Sequence, residues 1–356
     1  MQITIEGLVK RYGSVTAVDG IDIVAKEGKL TSLVGPSGCG KTTTLRCVAG
    51  LERPDAGRIT IGDEVVTDPA ENIFVPPNKR ELGFVFQSFD VWPHLTVFQN
   101  VAYPLQNRNV PKDEIRERVT EALGLTGIEH LADKPSTQLS GGQQARVGIC
   151  RAIVYEPRVL LFDEPLTGLD RNLRKQMRYE IKRIQSELEI TSLYVTHSQP
   201  EAMTLSDKIC LMNTSGTVEQ EGTADEIYNH PTSQFSFDFF GSSDAMPGSV
   251  VDGNTVETDL GIVETTGVDL AEGTAVNVGF RPEKVDVAVD GEADWNGNQW
   301  AGTVADISFL GEMYEVIVDV DGTQVRARRR TVPDGIDEGA TVSVHLDPTA
   351  VFVFPS

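Results

Sequence analysis

Nine residues, GPSGCGKTT from Gly35 to Thr43, fit the G-x-x-x-x-G-K-T spacing of a loop that wraps phosphate. Gly35, Gly38 and Gly40 let backbone N–H groups point inward, with Pro36, Ser37 and Cys39 completing the turn between them. Lys41 brings a positive charge to β and γ oxygens, the Thr42 hydroxyl suits Mg2+, and Thr43 offers its N–H on the α-phosphate side. Further along, the apolar run RVLLFDEP closes on two acids, Asp163 and Glu164. Neighbours in a strand point opposite ways, so the two carboxyls can take separate tasks. Asp163 would hold Mg2+ through its water shell, and Glu164 would accept a proton from a water attacking the terminal phosphate.

Such residues need rigid elements beneath them. ITIEGLVKRYG and IDIVAKEGKLTSLVG read as short strands joined by turns, the last running straight into the Gly-rich loop, and a helix follows. LGFVF reads as a buried parallel strand, with Gln87 at the C-terminal end where ligands gather in such sheets. The spacing from Pro111 to Lys134 predicts a helix carrying Ile115, Val119, Ala122 and Leu123 on one face. LSGGQ opens the helix QQARVGICRAIV, so its N–H groups and dipole face an anion that the same chain's phosphate loop, on another lobe, cannot supply. RNLRKQMRYEIKRIQSEL is amphipathic and covers a sheet, while the β-branched run TSLYVT ends at His197. After Gly241 the helical period vanishes, and Val-rich alternating runs recur between Gly and Asp turns, the pattern of an all-β barrel.

The 356 residues favour two cores. Net charge is -22, and the segment from Gly241 onward holds six basic against twenty-one acidic residues, a poor surface for nucleic acid. The acid fits a salt-loving host or a solubilising surface. The run Arg328, Arg329, Arg330 either neutralises neighbouring acid or senses an anion. No apolar stretch is long enough to span a bilayer, and the start MQITIEGLVKRYG is strand-like rather than a signal, so the expectation is a soluble cytoplasmic chain that meets a membrane only through a partner. Cys39, Cys47, Cys150 and Cys210 form no C-x-x-C pair and read as reduced thiols.

The phosphate loop, LSGGQ and the RVLLFDEP strand together resemble the ATPase subunit of an ABC transporter, over nearly the whole chain, and specifically the sugar, polyamine and ferric-iron importers. The resemblance implies an α/β phosphate-loop NTPase in residues 1–240 with a helical subdomain at about 88–157, then an oligomer-binding-like barrel domain in 241–356 that regulates or dimerises. It implies ATP and Mg2+ as cofactors, with Thr42, Gln87 and Asp163 around the metal and Lys41, Gln87, Glu164 and His197 as the hydrolytic set. Tyr12, 29 residues before Lys41, would stack on adenine, although a Tyr in a turn is otherwise ordinary surface.

The same resemblance has two copies packing head to tail, so that Ser140, Gly141, Gly142 and Gln143 of one reach the γ-phosphate held by the other and Asp170 crosses the interface. Trp92, Pro93 and Leu95 would line a groove for two integral-membrane permease subunits, fed by an extracytoplasmic solute-binding protein; without that partner they are core residues. The implied place is the cytoplasmic face of the cell membrane, and the implied cargo is a sugar, polyol or polyamine ahead of ferric iron. A soluble ABC ATPase acting on DNA or ribosomes is the alternative. Ala145 stands where the family often has Gln or a basic residue, while Ser198 replaces the usual Asp after the histidine and Pro200 a common acid.

Overall fold

The strand that feeds the phosphate loop is buried along its whole length, because it lies in the middle of a sheet covered on both faces. The computed structural model describes residues 1–241, 244–289 and 295–356, in two units, Met1–Pro231 and Thr232–Ser356. In the first unit, β1 (Ile3–Tyr12), β2 (Val15–Ala25), β4 (Ala56–Ile61), β5 (Glu64–Asp68) and β6 (Ile73–Phe74) form an antiparallel sheet in the order β2-β1-β4-β5-β6. The central sheet contains β3 (Leu30–Val34), β7 (Leu82–Val85), β8 (Val159–Asp163), β9 (Thr191–Thr196), β10 (Lys208–Met212) and β11 (Val218–Gly222). Its order is β11-β10-β3-β9-β8-β7, parallel throughout except for β11.

Every residue of β3, β8 and β9 is buried, the continuous burial of a sheet covered on both faces. Alternation sorts their side chains between two cores. Val159, Leu161, Leu193 and Val195 join the core shared with the antiparallel sheet and helix α1 (Lys41–Ala49), whereas Leu160, Phe162 and Tyr194 face the helical layer. That layer contains α2 (Val97–Gln106), α3 (Lys112–Leu125), α4 (Gly141–Ile153) and α5 (Arg171–Leu188); shorter α6 (Gln199–Leu205) and α7 (Ala224–Asn229) follow.

Ile115, Val119, Ala122 and Leu123 are buried on α3 as their spacing requires, but the helix stops at Leu125 instead of running on to Lys134. Gly127 adopts φ +68, a left-handed turn that ends an α-helix, and only a short 3-10 turn, Glu129–Leu131, comes after it.

In the second unit, α8 (Gln234–Phe239) precedes two five-stranded antiparallel sheets. One contains β12 (Asp244–Asp252), β13 (Thr255–Thr258), β14 (Gly261–Glu264), β15 (Ala275–Phe280) and β21 (Phe352–Pro355). The other contains β16 (Val285–Val289), β17 (Asn298–Phe309), β18 (Tyr314–Val320), β19 (Thr323–Arg329) and β20 (Thr341–Leu346). Val256, Val278, Val318, Val325 and Val344 meet in the core they share. Helix α8 belongs here rather than at the end of the first unit: Phe237 lies 5.1 Å from the Phe352 ring and 5.5 Å from Phe354, and its carbonyl accepts from buried Arg281 at 2.9 Å. Of the three arginines ending β19, Arg328 pairs with Glu315 at 3.0 Å and Arg329 with Asp286, so these two neutralise acid.

Candidate nucleotide-hydrolysis site

The loop between β3 and α1 can be built only with glycine at its ends. A Cβ on Gly35 would sit 2.3 Å from the Met212 carbonyl oxygen, and one on Gly40 would sit 2.2 Å from that of Ala17. Lys41 opens α1 and is buried; its Nζ donates to the carbonyls of Gly35 at 2.8 Å and Pro36 at 2.7 Å, with Cys39 Sγ at 3.5 Å. The ammonium thus sits inside the loop it serves, on acceptors that a phosphate can replace. Ser37 and Gly38 are exposed at the tip, and Thr42 and Thr43 are half-buried.

Strands β8 and β9 lie beside β3, and their C-terminal ends carry the rest. The Thr42 hydroxyl donates to Asp163 Oδ1 at 2.9 Å, and Arg46, one turn further along α1, approaches the other oxygen at 3.9 Å. Burial raises the Asp163 carboxyl above its ordinary value, against the lowering effects of Thr42 and Arg46. Glu164 does not continue the strand. It is left-handed at φ +46, its N–H bonds the Val195 carbonyl at 3.0 Å, and the turn swings its side chain toward β9. The separation from Asp163 that strand alternation predicts is therefore achieved by a turn. Glu164 Oε2 accepts from Thr167 Oγ1 at 3.2 Å and lies 3.1 Å from His197 Nδ1. With the carboxylate ionised, Nδ1–H donates, which leaves Glu164 Oε1 and the far imidazole nitrogen for other contacts.

The remaining sequence-selected residues stand around this pair. Tyr12 is exposed at the tip of the β1–β2 hairpin, with the Lys10 ammonium 5.0 Å from its ring centre. Gln87 is exposed two residues past β7 and, among the described residues, makes no hydrogen bond to Thr42, Asp163 or Glu164. At the start of α4 the Ser140 hydroxyl accepts from Gln143 N at 3.4 Å, and the Gln143 amide oxygen accepts from Ser140 N at 3.1 Å. This reciprocal cap uses acceptors only, so the Ser140 hydroxyl proton and the Gln143 amide protons stay available. Gly141 is exposed there, whereas Gly142 is buried against Leu173, whose Cδ1 would lie 2.5 Å from an added Cβ. Asp170 caps α5, one oxygen accepting from the N–H groups of Asn172 and Leu173 at 3.0 Å each.

Ala145 is fully buried in the helical core. Ser198 and Pro200 do not disturb α6, which begins at Gln199; Ser198 N–H bonds Thr196 Oγ1 at 2.9 Å, and proline suits the first turn. Three groups at the site escaped the sequence reading: Arg46, Thr167 and buried Glu201, which accepts from Tyr194 at 3.0 Å and Thr196 at 2.8 Å just before His197. Arg46 was detectable, since it falls four residues after Thr42 on one helix face.

Residues 18–167 match the ABC transporter family and residues 278–354 the TOBE domain. The chain is 40% identical to the trehalose/maltose import ATP-binding protein MalK of Thermococcus litoralis, with 97% of this chain and 95% of that protein aligned. The chain belongs to the ABC transporter family. Within it, the spermidine/putrescine import ATP-binding protein PotA of Thermobifida fusca is 40% identical over 99% of this chain and 93% of its own, and the Fe(3+) ions import ATP-binding protein FbpC of Photorhabdus laumondii 38% over 99% and 96%. Two solved ABC structures share the cassette fold. CbiO1 from Clostridium perfringens, part of the transporter complex cbiONQ, has TM-score 0.58 and 34% identity over 64% of this chain and 90% of its own. A dimeric bacterial ABC transporter cassette has TM-score 0.54 and 31% identity over 62% and 98%.

This ABC protein is an ATP-hydrolysing import subunit, with a C-terminal all-β TOBE domain. Among the described residues no helix is long and apolar enough to cross a membrane.

Proposed function

We propose that two copies of this chain close head to tail over two ATP molecules with Mg2+, and that closure drives solute import through two permease subunits at the cytoplasmic face of the membrane. The observation that carries the reading is the convergence of Lys41, Thr42–Asp163 and Glu164–His197 at the ends of three adjacent parallel strands. Lys41 exchanges its loop carbonyls for β and γ oxygens, and Tyr12 stacks on adenine. Thr42 and Asp163 fit Mg2+: a hydroxyl and a carboxylate already in contact are hard oxygen donors. Gln87 and the substrate phosphates would complete the set around the ion. Bound there, Mg2+ would neutralise charge developing on the phosphates.

Glu164 takes the proton of the attacking water on Oε1 while His197 and Thr167 hold Oε2. His197 presents its far nitrogen to the γ-phosphate. The free donors of Ser140 and Gln143, the backbone of Gly141 and Gly142, and Asp170 serve the partner copy's nucleotide, as the dimeric cassette of similar fold suggests.

A groove of about 1100 Å³ beside β7 is lined by Leu51, Phe84, Phe86, Trp92, Pro104 and Tyr155. It suits an apolar helical segment of a permease. Of the three residues picked out for that role, Trp92 lines it, whereas Pro93 is exposed and Leu95 half-buried outside it. The solute, which this chain does not touch, is a sugar, polyol or polyamine ahead of ferric iron, delivered by a solute-binding protein. Purification of the tagged chain from native membranes with Mg-ATP, followed by mass spectrometry, tests the reading. Recovery of polytopic permease subunits supports it, and the accompanying binding protein can be screened for its ligand. Recovery of ribosomes or DNA-associated proteins without a permease would overturn it.

A further inference from the structure

We propose that Arg151 is the positioning residue that makes the groove wall and the LSGGQ end of α4 move as one body. The inference rests on reading the groove as the permease seat. Arg151 lies in the last turn of α4, the helix that Ser140 caps. Its guanidinium donates through Nη1 to the Asp90 carbonyl at 2.7 Å and through Nη2 to the Phe89 carbonyl at 2.6 Å. A planar fork grips two successive carbonyls in one fixed geometry, which a freely rotating ammonium does not impose. Those carbonyls belong to left-handed residues, Phe89 at φ +55 and Asp90 at φ +43, so the grip holds a backbone shape that Asp90 tolerates but the Phe89 side chain disfavours.

The same segment is pressed on α4 a second time. A Cβ on Gly148 would lie 3.2 Å from Phe89 Cβ, so only glycine allows the present spacing at no cost. Beyond Asp90, the Arg151 guanidinium lies 4.6 Å from the centre of the Trp92 ring, which packs 4.6 Å from Tyr103 on α2. The Trp92 main chain is fastened by buried residues: its N–H donates to Asn100 Oδ1 at 2.8 Å, and its carbonyl accepts from Asn100 at 3.2 Å and Ser136 at 2.7 Å. Ser136 precedes Ser140 by one helical turn's worth of chain. The segment after Gln87 is thus fixed at two points, Phe89–Asp90 by α4 and Trp92 by Asn100 and Ser136. A partner that displaces Trp92 must carry α4 with it, because Arg151 leaves the segment no independent movement.

The test uses the permease complex recovered with the chain, reconstituted in vesicles, alongside the isolated chain. In Arg151→Gln, permease-stimulated hydrolysis falls relative to wild type by about 5- to 150-fold, the usual range of coupling between sites, while the basal rate of the isolated chain holds. Arg151→Lys, which keeps the charge but not the planar fork, recovers part of the stimulation and carries the test if the glutamine variant does not fold. Undiminished stimulation in Arg151→Gln overturns the inference, as does an equal loss of basal and stimulated rates, which marks a merely structural arginine. A wild-type chain that its permease does not stimulate overturns the seat itself and the inference with it.

Discussion

Replacing Glu164 with Gln isolates the one step assigned to its carboxylate. The amide has the same shape, and its oxygen can still accept from Thr167 and His197 where the carboxylate does now, at 3.2 and 3.1 Å. The left-handed turn at φ +46 and the Glu164 N–H bond to Val195 are main-chain features that the substitution leaves in place. The structural cost is then the difference between two charge-assisted and two neutral hydrogen bonds at a partly open position, about 1 kcal/mol or less. The chemical cost is larger, because an amide cannot accept the water's proton. Positioned general bases contribute about 100- to 10,000-fold, which at 1.36 kcal/mol per decade is about 3 to 5 kcal/mol of barrier. Single-turnover hydrolysis and fluorescent-nucleotide binding on one preparation separate the two costs. The expected result is hydrolysis slowed by at least about 100-fold, ATP affinity kept, and a dimer that persists in Mg-ATP on gel filtration. Hydrolysis at the wild-type rate would refute the assignment of Glu164. A parallel loss of nucleotide affinity would show instead that the carboxylate serves the loop rather than the water.

The loop and the metal site yield two further expectations. Gly35→Ala sets a Cβ 2.3 Å from a main-chain oxygen at φ +153, whereas Gly38→Ala meets nothing within 4 Å and strains only φ +83. Chemical denaturation should show Gly35→Ala destabilised by about 3 kcal/mol and Gly38→Ala by about 1, although both lose ATP; equal stabilities would refute the packing argument. For Asp163, burial raises the folded carboxyl's proton affinity, so ionisation costs stability as pH climbs from the ordinary carboxylate range through the raised folded value. Nucleotide-free Asp163→Asn should therefore melt at or above wild type at neutral pH, with the gap closing in acid, while losing the Mg2+-dependent part of ATP binding. A variant that melts several degrees lower at neutral pH would contradict this.

What the sequence disclosed follows from how far apart the cooperating groups lie. The phosphate loop is a run of nine residues whose chemistry needs only its own backbone, and the burial of RVLLFDEP and TSLYVT is written in continuous apolar runs. The Glu164–His197 contact was reachable because both residues end parallel strands. Arg151 bonding a carbonyl 62 residues away leaves no trace in local spacing, and neither does the approach of Thr126 to the Cys150 thiol at 3.0 Å. The helical spacing over 111–134 continues past Leu125, where α3 ends, because the apolar pattern does not register the left-handed turn at Gly127. Helix α8 groups with the second unit through Phe237 packing on Phe352 and Phe354, residues far away in sequence, which local spacing does not reveal.

Backbone conformation marks the working parts more sharply than composition does. Nine non-glycine residues among those described have left-handed φ. Asn72, Asp90, Asn109 and Asp321 are of types that tolerate it, and Glu189 caps the end of α5. Glu81 and Glu156 lead toward β7 and β8, where Arg158 ties the two approaches together by donating its N–H to the Glu81 carbonyl at 3.1 Å. The two that remain are Phe89 and Glu164. Each such residue costs roughly 1 to 3 kcal/mol and persists only where its surroundings impose it. At Glu164 the Val195 carbonyl, Thr167 and His197 impose it, and the outcome is a carboxylate turned away from Asp163. At Phe89 the Arg151 fork and the bare face of Gly148 impose it, and the outcome is a stiff bracket between the groove and the signature helix. A fold that needed only stability would relax both positions, so their strain is best accounted for by the hydrolytic carboxylate at one and by transmission from the groove at the other.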